Sequence, residues 1–213
     1  MMPLHISYSL ASIFALSSFA FVNSITPGPN NIMLLHSGAR FGFRPTVPHM
    51  LGISFGFSVM IFLCCIGVAA VVLRYPATDW LLKSIGCAYM LWLSYKLWRN
   101  GAVPAGIDTP SAAEQNHAQP FTFTQAALFQ YVNPKAWMMA LTVPAAYLPK
   151  TGSLWLNSAF ATLLCMAINL PSIAVWARGG ELLQSVLHKP RLAQFANAII
   201  VLMTIYCAFS VWL

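Results

Sequence analysis

The stretch Thr26-Pro27-Gly28-Pro29-Asn30-Asn31 decides how this chain is read, because it lies inside a window, residues 1–39, without a charged residue. Two prolines and a glycine cannot continue a helix: proline has no N–H to donate and its ring clashes with the preceding turn. Yet the flanks, Tyr8 to Ile25 and Ile32 to His36, are apolar enough to lie in lipid. A helix broken at membrane depth frees backbone polar groups that lipid cannot satisfy, so such a break must line a cavity or be buried in protein. Secondary transporters build their substrate sites from breaks of this kind. The stretch therefore predicts a transporter.

Composition agrees. Of 213 residues 59% are apolar and 7% charged, with a mean hydropathy of +0.70, whereas a soluble domain carries about 25% charged residues. Further charge-free windows cover 45–73, 151–177 and 192–213, each long enough for a spanning helix of about 20 residues. The net charge of +7 comes from eleven Lys and Arg scattered singly or in pairs between apolar segments. That is the distribution of topology signals, and it excludes a nucleic-acid partner. The five cysteines lie in apolar segments without a CxxC or Cys/His cluster. They read as free packed thiols, so no disulfide, metal or cofactor is expected. A cleaved signal peptide is not expected either, because no Lys or Arg precedes Tyr8.

The predicted fold is an all-α integral membrane protein with six transmembrane helices, over 8–36, 46–73, 77–98, 121–148, 153–177 and 192–213. One transporter domain, 1–213, divides into a first half (1–99), a polar, Pro- and Ala-rich linker (100–120) and a second half (121–213). Trp80 and Trp98 read as interface aromatics and Trp92 as core packing. The connections after spans 1, 3 and 5 hold Arg40, Arg44, Lys96, Arg99, Arg178, Lys189 and Arg191, so that side is cytoplasmic by the positive-inside rule. Both termini then face the periplasm of a bacterial inner membrane. Three spans per half force the second half to enter in the opposite sense, which gives a 3+3 inverted-topology repeat. Thr26-Pro27 in span 1 has its counterpart in Asn133-Pro134 in span 4, so helices 1 and 4 are both expected to be broken. Each pair is an N-cap and first-turn combination that opens a helix. Gly52 to Gly56 forms a GxxxG pattern, read as close helix packing.

A helix restarting at Pro29 or Pro134 presents unpaired N–H groups and the positive end of its dipole. Two such ends make an anion site suited to a carboxylate, to which Lys135 adds a full charge. The alternative for Lys135 is a topology residue near the cytoplasmic end of span 4. Asn30, Asn31 and Asn133 can read a polar ligand through donors and acceptors, or simply satisfy freed backbone groups. Asn169, in Asn169-Leu170-Pro171, interrupts span 5 and either widens the cavity or marks a proline kink. The expected substrate-binding set is thus Thr26, Pro27, Gly28, Pro29, Asn30, Asn31, Asn133, Pro134, Lys135 and Asn169. No Asp or Glu lies deep in a span, and His36 and His49 are expected at the interface flanking the first connection. A substrate ammonium would meet unwound carbonyls and Asn oxygens, which favours a zwitterion or neutral polar solute.

At these residues the chain resembles the LysE/RhtB family of amino-acid exporters. The resemblance runs along nearly the whole length and rests on TPGPNNIMLL (26–35), GARFGFR (38–44), GISFGF (52–57), AYMLWLSYKLW (88–98) and FQYVNPKAW (129–137). It is greatest to the branch exporting cysteine and O-acetylserine; Pro45 and Pro48 depart from the small or flexible residues usual after the turn. The resemblance implies export from the cytoplasm, driven by the proton gradient, of cysteine, O-acetylserine or another neutral amino acid. It leaves a homo-oligomer open. Two other classes compete. A membrane-embedded enzyme would want His, Asp or Glu clustered at one membrane face, and the four acids are dispersed. A non-transporting subunit would not need two matched breaks.

Overall fold

The computed structural model describes residues 5–100, 119–186, 190–210 and 212. Most of the expected linker, with Asp108 and Glu114, and Lys189 lie outside the described residues. The described elements are all helical.

Helix α1 (Leu10–Ile25) begins where Ser9 Oγ accepts the Ser12 N–H at 3.1 Å, an N-cap that satisfies one orphan donor. It ends at Thr26, which stands before Pro27 and is extended with ψ 150°, as a following proline demands. After three non-helical residues α2 (Pro29–Phe41) restarts at an angle of 52° to α1. Gly42, with φ 84°, turns the chain directly into α3 (Phe43–Leu63); a Cβ is disfavoured at that dihedral. Glu181 Oε1 receives the Phe43 N–H at 3.1 Å and so caps this start from across the molecule. The path of α3 continues through a π-helical turn (Cys64–Val68) into α4 (Ala69–Arg74), and α5 (Pro76–Asn100) follows.

The expected fourth span is the most interrupted. Helix α6 (Phe123–Phe129) opens with a reciprocal capping box between Thr122 and Gln125. A 3-10 turn (Gln130–Val132) leads to Asn133, then α7 (Pro134–Thr142) and a π-helical segment (Val143–Tyr147). Helix α8 (Leu154–Val186) is 33 residues long and α9 (Pro190–Ser210) 21.

By length and apolarity two helical paths can cross a membrane, Phe43–Arg74 and Leu154–Leu183, and the bent pair α1 and α2 passes as a third. The other expected spans differ for physical reasons. Helix α5 has the length but is diluted by Asp79, Lys83, Lys96 and Arg99. The α6–α7 path is divided into short pieces, and in α9 the apolar run shortens to Gln194–Phe209. The outer face is apolar: Leu10, Phe14, Leu163 and Leu202 are among its exposed side chains.

The expected interruption of span 5 is corrected: α8 runs through Pro171 without a break. The proline removes one helical bond, but Ile173 and Ala177 after it are buried against Leu34, Met50 and Ile53, and Leu170 before it packs on the same cluster. Two further expectations change. His49 is 2% exposed, inside the core and against the Phe121 ring, rather than at an interface. Trp92 is half-exposed, with the Lys96 ammonium 4.3 Å from its ring centroid, rather than core.

Helix α8 is the centre of the packing: it lies along α1, α2 and α3, most extensively along α2. Gly38 faces the Ala177 backbone and Gly180 the Leu35 carbonyl, with no room for a Cβ at either point. The GxxxG pair Gly52 and Gly56 does the same for α3 against Phe123 and Ala127 of α6. In a bilayer, small residues let backbones approach, and van der Waals packing replaces the hydrophobic effect as the force joining helices. These contacts bring the break before α2 beside the break before α7.

Candidate functional site

Each break is closed by side chains that collect the groups it frees. At the first, Asn31 Nδ2 donates to Ser24 O at 2.8 Å and Thr26 O at 2.7 Å, folding the start of α2 back on the end of α1. Trp176 Nε1 of α8 donates to Ile25 O at 3.0 Å. A buried carbonyl left without a partner costs about 1–3 kcal/mol, so these bonds let the break persist. The residue that starts α2 is Gly28, with Pro29 in the first turn; Thr26 terminates α1 instead. The expected pairing of Thr26-Pro27 with Asn133-Pro134 is therefore shifted by two residues, because Pro27 holds Thr26 extended and only Pro29 can lead the new helix. At the second break the expectation holds: Asn133 caps α7, its Oδ1 accepting the Lys135 N–H at 3.2 Å, and Pro134 follows. The two helix starts differ in consequence. Gly28 offers no side-chain cap, so the first-turn N–H groups of α2 are open to a ligand, whereas Asn133 already occupies one donor of α7.

Lys135 joins the two breaks. Its Nζ reaches out of α7 and donates to Thr26 O at 3.0 Å, Thr26 Oγ1 at 2.9 Å and Pro27 O at 3.1 Å. An ammonium has three donors, and all three are used. Gly28 makes room for the stem, since a Cβ there would lie 2.8 Å from Lys135 Cδ. Every acceptor is neutral. Among the described residues no carboxylate pairs with Lys135; Glu181 is engaged by Phe43 N–H and Arg178.

Asn30 and Gln130 exchange both amide bonds, Asn30 Nδ2 to Gln130 Oε1 at 2.8 Å and Gln130 Nε2 to Asn30 Oδ1 at 3.1 Å. Gln130 is fully buried and also donates to Ala126 O at 2.9 Å. Sequence reasoning passed over it, although a lone amide three residues before Asn133 in an apolar run was its signal. Asn169 Nδ2 donates to Ser24 Oγ at 3.1 Å while its Oδ1 accepts from Ser54 Oγ at 2.9 Å, tying α8 to α1 and α3.

The ten expected residues come together. Gly28, Pro29, Asn30, Asn31, Asn133, Lys135 and Asn169 line a small open cavity of about 30 Å³ together with Phe57 and Met139. Thr26, Pro27 and Pro134 line an adjoining apolar-walled recess beside Leu202 and Tyr206, and Pro29 and Lys135 belong to both. The site carries one full positive charge plus the half-charge of the α2 N-terminus. It offers donors to an anion and oxygens to a cation. No group of His, Cys, Asp and Glu able to hold a metal occurs among the described residues.

Comparison with known proteins decides the family. Residues 21–213 match the LysE type translocator family. The chain belongs to it. This LysE-type chain is similar to the cysteine/O-acetylserine efflux protein of Salmonella typhimurium strain LT2, at 30% identity over 198 residues, covering 92% of the chain and 94% of that protein. Its similarity to the cysteine/O-acetylserine efflux protein of Escherichia coli strain K12 is 28% over 196 residues, with the same coverage. No solved structure gives a significant match. Membership in the LysE family makes the protein a transmembrane transporter and not an enzyme.

Proposed function

We propose that this protein is a secondary active exporter that moves zwitterionic amino acids or closely related metabolites from the cytoplasm to the periplasm, driven by the proton gradient. Its substrates are of the cysteine and O-acetylserine class, the solutes for which its relatives are named. Six spans in two oppositely inserted halves, 1–99 and 121–213, joined by the linker 100–120, form one domain in the bacterial inner membrane with both termini periplasmic. The charge bias of the connections supports this orientation.

Substrate binds between the two breaks, at Thr26, Pro27, Gly28, Pro29, Asn30, Asn31, Asn133, Pro134, Lys135 and Asn169. The observation that carries this reading is Lys135: a cation at a pair of helix breaks whose three hydrogen-bond acceptors are neutral oxygens. A charge in the membrane is costly and marks a functional site when its partner is supplied by a ligand. The substrate carboxylate is that partner, met by Lys135 and by the open N–H groups of α2. Rocking of one half against the other around this point then exposes the substrate alternately to the two sides.

The test is an efflux panel. Cells expressing the protein are loaded with labelled cysteine, O-acetylserine, neutral, acidic and basic amino acids, and initial efflux is compared with that of cells lacking it. Zwitterions with small neutral side chains should leave faster, and collapse of the proton gradient should abolish the difference. Equal efflux for every solute contradicts the reading.

A further inference from the structure

Lys135 occupies a receptor that is built without it. Thr26 O, Thr26 Oγ1 and Pro27 O converge on one point at 2.9–3.1 Å from the ammonium nitrogen. Two of the three have partners besides the lysine: Asn31 Nδ2 donates to Thr26 O, and Thr26 Oγ1 itself donates to Asn23 O at 3.3 Å, while Trp176 Nε1 holds the adjacent Ile25 O. Pro27 has no N–H that could compete for these oxygens. Three neutral oxygens in this arrangement match a primary ammonium, whose three N–H bonds each need an acceptor.

We propose that the oxygens of Thr26 and Pro27 are the subsite for the substrate's own α-ammonium, filled by Lys135 in this structure and exchanged for the substrate during binding. This rests on the site reading above and adds to it the place of the amino group and the role of the lysine as its internal surrogate. The exchange conserves hydrogen bonds. A carboxylate arriving at the open start of α2 draws Lys135 Nζ into a charge-assisted bond, stronger than one to a neutral carbonyl. The departing lysine leaves three acceptors open, and the substrate ammonium takes them. An acid without an amine would strand those oxygens, and an amine without an acid has nothing with which to draw Lys135 away. Recognition therefore demands both groups in one molecule, and selection against deaminated and decarboxylated metabolites follows from the cradle itself.

The decisive variant is Lys135→Ala in the purified full-length protein, with ethylammonium as the probe and tetramethylammonium, which cannot donate, as its control. Ethylammonium should raise the melting temperature of Lys135→Ala by about 2–4 °C at several times its Kd, leave the wild type unmoved, and have no counterpart with tetramethylammonium. No shift in the variant, or equal shifts in both proteins or with both cations, overturns the cradle. The same variant separates this inference from the site reading: wild-type cysteine efflux by Lys135→Ala refutes the site, whereas lost efflux without an ethylammonium shift refutes the cradle alone. Thr26→Val supplies a second measurement that does not need the lysine removed. It takes one oxygen from the bound substrate, so KM for cysteine should rise about tenfold. If Thr26 serves only to anchor Lys135, freeing the lysine leaves KM unchanged or lowers it, and that result overturns the proposal.

Discussion

Gln130 shows how much one side chain can hold at this site. Its amide is fully buried, and its two-way bond with Asn30 joins the start of α2 to the turn before α7. Replacing it by Leu leaves the Asn30 amide unpaired at a cost of about 1–3 kcal/mol. Gln130→Leu should therefore melt several degrees lower, and the double variant Asn30→Leu with Gln130→Leu should recover part of the loss, because no polar group is then stranded. A thermal-shift cycle over the four proteins measures that coupling; strictly additive losses would show that the pair is not an energetic unit. Legibility at this scale followed the backbone. Asn133-Pro134 could be read because an Asn cap before a first-turn proline is a local signature. The direction of Lys135 could not, since it depends on Gly28, more than a hundred residues away, leaving room for the stem.

Among the elements, the bent pair α1 and α2 carries the site. The 52° angle between them comes from two prolines and is sustained by Asn31 and Trp176, which absorb the carbonyls it frees. Replacing Pro27 and Pro29 with Ala restores the missing N–H groups and lets one helix run through. The double variant should insert and accumulate normally, yet lose most cysteine efflux, because the uncapped turn and the oxygens facing Lys135 vanish together. Wild-type efflux from it would show that the break is architectural only. Continuous elements were legible, as were breaks dense in proline: α3, α8 and the 26–28 gap follow from charge-free windows and Thr26-Pro27-Gly28-Pro29. Pro171 misled because one lost bond is tolerated where Leu170 on one side and Ile173 and Ala177 on the other pack against the core. The π-helical turns at Cys64–Val68 and Val143–Tyr147 left no such mark.

For the whole molecule, the proposed topology is of two halves meeting at two breaks, with both termini outside. A reporter fused after Leu213 should be active in the periplasm and inactive in the cytoplasm; the reverse would remove both the orientation and the inverted repeat. Composition announced the membrane protein, since 7% charged residues cannot cover a soluble surface. It was silent on how the halves meet, because contacts such as Asn30 with Gln130 and Lys135 with Thr26 join residues about a hundred positions apart. The central claim is that Lys135 meets the substrate carboxylate between the breaks. Initial efflux of labelled cysteine, from cells making equal amounts of wild-type, Lys135→Arg and Lys135→Met protein, tests it most directly. Lys135→Met keeps the aliphatic stem without the charge and should fall at least about tenfold, while Lys135→Arg, whose planar guanidinium differs in reach and hydration, should recover only part. Wild-type efflux from Lys135→Met would contradict the account.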